Sequence, residues 1–337
     1  MKKKFYNLFP LTLILLGCIC SESCLTAMHC GIDLCIKQLI PALYLFLIAA
    51  NLFYIPSSPK PAKGPFPKGF LSMLLLTASG GYPVGALCVR KAYENKCLSV
   101  KQAKALSCLL LCAGPGFCIH YIGTAVLQNT TAGILLLLSQ YLSMLLGLAV
   151  YGILFHKTSC VSLPGDFPPN DLPQAVRKAA RSMADICASV IFFFALRGML
   201  DPLLCRLPEK CRDLISGLME VTAGCSGITA FDGISKMLLI AFFCGFGGLG
   251  IHLQLYGILK EAATCYPLFI TVRLLMGILT AAIWRGLLLF LPQTDLACLS
   301  MPNGMLLSSS SENPVIFFML MFTCVTFCAS FVTYLRR

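Results

Sequence analysis

Between Lys104 and Lys157 the sequence contains no Asp, Glu, Lys or Arg. A helix needs about 20 apolar residues to cross a hydrocarbon core. Ala105 to His156 is therefore long enough for two crossings, with Gln128-Asn129-Thr130-Thr131 as the turn between them. The composition of the whole chain agrees: of its 337 residues 58% are hydrophobic and 12% charged, where a soluble domain carries roughly 25% charge. A soluble enzyme, a disordered chain and a nucleic-acid-binding domain are all disfavoured. The fold class expected is an all-α polytopic membrane protein whose first partner is the lipid bilayer.

The formal net charge is +12, but the basic residues form no single patch for nucleic acid. They recur in short clusters between apolar runs, as juxtamembrane charges do. With the N-terminus cytoplasmic, the inner segments hold Lys2, Lys3, Lys4, Lys60, Lys63, Lys68, Arg90, Lys91, Lys96, Lys101, Lys104, Lys157, Arg177, Lys178, Arg181, Lys260, Arg336 and Arg337, and the outer ones chiefly Arg206, Lys210, Arg212, Lys236 and Arg285. Both termini are then cytoplasmic. The bias holds when two glycine-broken segments, Gly69–Val89 and Ser216–Ser235, each enter and leave on one side, as re-entrant hairpins from opposite faces. Crossings are expected at Phe5–Ser21, at Ile32–Tyr54 with a bend at Pro41, near Asp185–Leu204, Met237–Leu259 and Ala262–Trp284, and at Pro314–Leu335. Phe5 to Ser21 also has the form of a signal peptide, and Leu15-Leu16-Gly17-Cys18 weakly resembles a lipobox; the second span that follows favours a retained helix. Of the 20 cysteines most sit in apolar runs as small hydrophobes. Cys20, Cys24, Cys30 and Cys35 fall close together in a segment expected outside, where a disulfide is an open alternative.

The two halves echo each other. Gly116-Phe117-Cys118-Ile119-His120 matches Gly248-Leu249-Gly250-Ile251-His252, and the small-residue tips Ser79-Gly80-Gly81 and Ala223-Gly224-Cys225 precede them. Each tip leads to a helix interrupted at Ala113-Gly114-Pro115-Gly116 or at Gly245-Phe246-Gly247-Gly248. The expectation is two inverted-topology repeats, each with a re-entrant hairpin and a broken transmembrane helix, the pattern of secondary transporters. The organisation is N-terminal helices over 1–55, a first repeat over 56–155, a cytoplasmic linker over 156–182, a second repeat over 183–292, and a loop with a last helix over 293–337.

Backbone amides and carbonyls left free at a break are tolerated in lipid only where they face protein or a wet cavity, and a half-helix N-terminus there suits an anion. The candidate substrate-binding residues are accordingly Ser79, Gly80, Gly81, Tyr82, Gly114, Pro115, Phe117, His120, Thr222, Gly224, Gly247, Gly248, His252, Gln254 and Arg273. Arg273 lies mid-span, where an arginine is expensive and faces a cavity or a partner; helix-end carbonyls or Glu220 compete with a solute for it. Glu220 and Asp232, flanking the second tip, are weighed as ligands of a coupling cation or proton and read as partly interfacial, solvated charges. Trp284 and Arg285 read as an interfacial anchor. No catalytic constellation, Walker loop, metal motif or cofactor motif is present, so no enzyme activity is expected.

Ser79-Gly-Gly-Tyr-Pro-Val-Gly-Ala86, Leu98-Ser99 with Gln102-Ala103, Ala113-Gly-Pro-Gly-Phe117, Met219-Glu-Val-Thr-Ala-Gly224, Gly245-Phe-Gly-Gly-Leu-Gly-Ile-His-Leu-Gln254 and Arg273-Leu-Leu-Met-Gly277 together resemble the YlbJ family of sporulation integral membrane proteins, in order and over nearly the whole chain. Ala113 departs from the polar pair that precedes Gly-Pro in the family. The resemblance implies a nucleoside-recognition (Gate) fold related to concentrative nucleoside transporters. It also implies a place in endospore formation at the outer forespore membrane, and dipicolinic acid, a small aromatic dianion, as cargo. The residues themselves say only a small polar or anionic solute. A non-transporting scaffold or solute sensor with sporulation partners, a homo-oligomer, and an ion-coupled nucleoside transporter stay open beside it.

Overall fold

The computed structural model of the protein describes residues 8–52, 65–66, 69–156 and 171–288, which form helices joined by short turns with no strand among them. Five helices are long and apolar enough to cross a bilayer: Ser21–Leu52, Thr130–Leu154, Leu172–Leu204, Gly233–Ala262 and Tyr266–Leu288. The protein is an all-α, multi-pass membrane protein. The expected crossing at Pro314–Leu335 lies outside the described residues, as do Met1 to Asn7 and most of the Pro56–Lys68 loop.

Helix α1 (Leu8–Ile19) is followed by α2 (Ser21–Leu34), a π-turn (Cys35–Leu39) and α3 (Ile40–Leu52). The last three run on as one rod. Pro41 has no N–H to give the ladder; immediately before it the ladder widens, and the Ile40 amide reaches back five residues to the Cys35 carbonyl. The rod starts at Ser21 rather than Ile32, and on its exposed side Asp33 and Lys37, one helical step apart, pair at 2.6 Å. Of the cysteines expected in an external segment, Cys24, Cys30 and Cys35 are helical and Cys20 sits at the turn before Ser21; all four are free thiols. Helix α8 (Leu172–Leu204) packs along this rod, with Gly31 against Phe194 and Gly198 against Ser23 and Ala27. Small residues let the backbones approach, as in other membrane helix pairs. Its N-terminus is capped by Asp171, whose Oδ1 accepts the Gln174 amide at 2.7 Å. Residues 172–182, expected as part of the linker, are therefore helix.

In the first half, α4 (Phe70–Gly80) and α5 (Tyr82–Glu94) meet at Gly81. The chain doubles back there, since a Cβ on Gly85 would stand 2.9 Å from the Thr77 side chain. Gly81 holds φ +76°, a region closed to side chains at ordinary cost, and Pro83 starts α5 where its missing N–H costs nothing. Next comes α6 (Val100–Leu109), opened by a capping box between Ser99 and Gln102. Residues 110–114 are unwound, and a π-helix (Gly116–Val126) completes this broken helix. Helix α7 (Thr130–Leu154), capped by Asn129, ends the half.

The second half repeats that order of elements. Helix α9 (Glu209–Met219) turns at Glu220 into the short α10 (Val221–Ser226), and Gly224 lies directly on Gly217. Residues 209–213, which carry the charges of this stretch, thus begin the first arm of this hairpin. The broken helix is α11 (Gly233–Phe246) and α12 (Gly248–Leu259), separated by Gly247 at φ +94°. Helix α13 (Tyr266–Leu288) closes the half and lies tightly on α11. Across the halves α7 packs on α13, tied by a 3.0 Å hydrogen bond from Thr280 Oγ1 to Ser143 Oγ. Trp284, expected at an interface, is fully buried in the core instead.

Candidate functional site

Each hairpin tip rests on the break of its own half. A Cβ on Gly81 would stand 3.1 Å from the Gly114 amide nitrogen, and one on Gly248 3.0 Å from the Val221 nitrogen. The tips are then tied across the halves. The Tyr82 hydroxyl, one residue past the first tip, donates to the Cys244 carbonyl in the last turn of α11. The Tyr121 hydroxyl, in the first broken helix, donates to the Thr222 carbonyl of the second tip at 2.9 Å.

Between these tethered tips lies a cavity enclosing about 710 Å³ of free space, its mouth included. The first hairpin gives it Ser79, Gly80, Gly81, Tyr82 and Pro83, and the first break gives Gly114, Gly116 and Phe117. The second hairpin supplies Glu220, Val221 and Thr222, and α12 supplies Gly250, Ile251 and Gln254. The remaining wall is apolar, from the rod (Leu39, Leu43, Phe46, Leu47) and α8 (Ile186, Val190), with Ser189 its one polar group. The cavity opens on the N-terminus of α5, which has no side-chain cap, so its first amides carry the partial positive charge of a helix start.

Of the residues singled out in the sequence, Ser79, Gly80, Gly81, Tyr82, Gly114, Phe117, Thr222 and Gln254 line this cavity. Pro115 precedes the π-helix, Gly224 packs inside the second hairpin, and Gly247 and Gly248 form the second break behind the tip. The two histidines at matched sequence positions sit in unlike surroundings. His120 is exposed, its ring 5.5 Å from that of Phe46. His252 is buried among Phe246, Phe269 and Tyr266, with Nε2 2.9 Å from the Phe246 carbonyl and Nδ1 unpartnered.

Arg273 also stands away from the cavity wall. Its Nη1 donates to the Leu111 carbonyl and its Nε to the Phe246 carbonyl, both at 3.2 Å, and Nη2 donates to the Gly245 carbonyl. One guanidinium thus satisfies the open C-terminal ends of both broken helices, where a cation is favoured by charge as well as by hydrogen bonding. The competing partner, Glu220, forms no ion pair with it.

Glu220 departs furthest from its sequence reading. It is 5% exposed rather than solvated, and its carboxylate accepts the Thr222 hydroxyl at 2.9 Å and the Ala223 amide at 2.6 Å, capping α10. The sequence signal was present: an acidic residue directly before Val-Thr-Ala-Gly has the form of a helix N-cap. Asp213 was also missed. It is buried and accepts the amides of Thr229 and Ala230 at 2.9 and 2.8 Å, fixing the loop from α10 to α11.

The class is therefore a multi-pass membrane protein with a largely apolar cavity between two helical hairpins. No family model matches the chain, and no solved structure matches it. Among curated proteins it is similar to the sporulation integral membrane protein YlbJ of Bacillus subtilis (strain 168), 24% identical over 260 residues. The match takes in 64% of this chain and spans about 64% of the relative's length. It supports a YlbJ-type family, the one the motifs resemble, while the nucleoside-recognition fold rests on those motifs alone.

Proposed function

We propose that this chain is a transporter rather than an enzyme, carrying a small anionic solute through the membrane during sporulation, and that the cavity between the hairpin tips is its solute site. The observation that carries the reading is the convergence of both tips and of parts of both broken helices on one cavity. Each half consists of a long rod, a hairpin that returns to its own side, a broken helix and a closing helix. That makes three crossings, an odd number, so the second half runs inverted to the first. Inverted units meeting at discontinuous helices suit alternating access. Dipicolinate, the cargo implied by the YlbJ-type resemblance, fits the chemistry of the walls. Its aromatic ring has Phe117, Tyr82 and Phe46 to lie against, and a carboxylate has the uncapped start of α5. The outer forespore membrane is the location that the same resemblance implies.

The test is uptake of radiolabelled dipicolinate into proteoliposomes, with uridine as the competing cargo. Wild-type protein is expected to move dipicolinate. Gly81→Val forces a side chain at φ +76° against the Gly114 backbone and is expected to lower the flux at least tenfold. Absence of wild-type dipicolinate flux, or preference for uridine, refutes the assignment of an anionic cargo.

A further inference from the structure

An anionic solute in this cavity meets a problem that the structure itself poses. Glu220 lines the space and is the one carboxylate among the described residues that does so. Its hydrogen-bond donors, Thr222 Oγ1 and the amides of Thr222 and Ala223, are neutral. No Lys, Arg or His of the described residues pairs with it: Arg273 is engaged by three carbonyls, and Lys37, Arg90 and Arg212 are among the cations paired with other carboxylates. The titratable groups that face it are Cys35 on the rod, Tyr121 on the π-helix and Cys225 on α10, with Cys187 of α8 behind Cys35. None of these is a cation. From α12 the contacts are Gly248 and Gly250, which carry no side chains. A carboxylate held out of water with no counter-charge takes up a proton or a cation, and a second negative charge beside it makes that demand stronger.

Resting on the transport reading above, we propose that Glu220 is a proton-binding site that couples proton movement to solute movement. A proton from water on one face adds to a carboxylate oxygen, and the neutral carboxyl tolerates the anion beside it. In the opposite-facing state the solute leaves, and the proton passes from that oxygen to water on the other side. No bond in the solute changes. The hydrogen bonds accommodate both forms. Thr222 can rotate its hydroxyl from donating to accepting when Glu220 carries the proton, and the other carboxyl oxygen keeps the Ala223 amide, so α10 stays capped throughout.

The experiment uses the full chain in proteoliposomes containing pyranine, with the membrane potential clamped at zero and labelled dipicolinate outside. One-to-one coupling carries accumulation to about tenfold for each unit of inward proton gradient, with acidification of the lumen in step. In Glu220→Gln the gradient is expected to drive no accumulation, the inside-to-outside ratio staying near one. Proton-driven accumulation by Glu220→Gln equal to the wild type overturns the proposal, and so does a wild type driven by sodium instead of protons. If the variant does not fold, the wild type decides alone: dipicolinate added to weakly buffered, detergent-solubilised protein takes up about one proton per solute bound, and no uptake overturns the assignment. Wild-type dipicolinate exchange without proton dependence removes the proton site and leaves the transport reading standing. No exchange at all removes the transport reading.

Discussion

Replacing Arg273 by methionine separates its structural work from any contact with solute. The substitution keeps much of the aliphatic stem and deletes the guanidinium, which donates to the carbonyls of Leu111, Gly245 and Phe246. Phe246 keeps a partner in His252 Nε2, so two buried carbonyls, one from each broken helix, are left without this donor. An unsatisfied buried polar group costs about 1–3 kcal/mol, giving a loss of roughly 2–6 kcal/mol. The opposing route gives a similar figure. Three hydrogen bonds to a charged group contribute about 1.5–3 kcal/mol each, and removing an arginine from mid-bilayer recovers roughly 3 kcal/mol. At about 2 °C per kcal/mol for a chain of this size, the apparent melting temperature in detergent falls by roughly 4–12 °C. Arg273→Lys, with a point charge that reaches fewer carbonyls, falls between the two. A methionine variant that melts with the wild type yet no longer binds dipicolinate refutes this account and makes Arg273 a solute ligand.

Tyr121→Phe removes the 2.9 Å tether to the Thr222 carbonyl and is expected to cost about 1 kcal/mol and to loosen the second tip, seen as faster amide exchange at Ala223 to Cys225. Asp171→Ala removes the cap of α8 and is expected to cost about 1 kcal/mol, readable in the same melting assay. Cys20, Cys24, Cys30 and Cys35 are expected to remain free thiols, so that all four react with maleimide after denaturation without reductant; loss of label at any pair contradicts their placement.

The charge-free run of Ala105 to His156 and the glycine clusters made the broken first helix and both hairpin tips readable, because lipid leaves few other reasons for such residues. Orientation of side chains around the helix axis was less legible. His120 and His252 occupy the same place in a shared pentapeptide, yet one faces outward and the other is sealed, since one stretch is wound as a π-helix and the other as an α-helix. The second hairpin was expected over Ser216–Ser235, whereas its first arm begins upstream, at Glu209–Met219. Despite its charges that arm is a helix, which buries a narrow face bearing Asp213, Ser216 and Gly217 and leaves Glu209, Lys210 and Cys211 exposed. The status of Glu220 depends on which elements close over it, a long-range property that local charge does not reveal.

The sequence has a single tryptophan, and its indole is wholly enclosed, with Nε1 meeting no acceptor. The protein therefore carries its own fluorophore in a buried, apolar seat on α13. Its emission should be blue-shifted and insensitive to brominated or spin-labelled lipids, reporting on the integrity of the packed interior without any added dye.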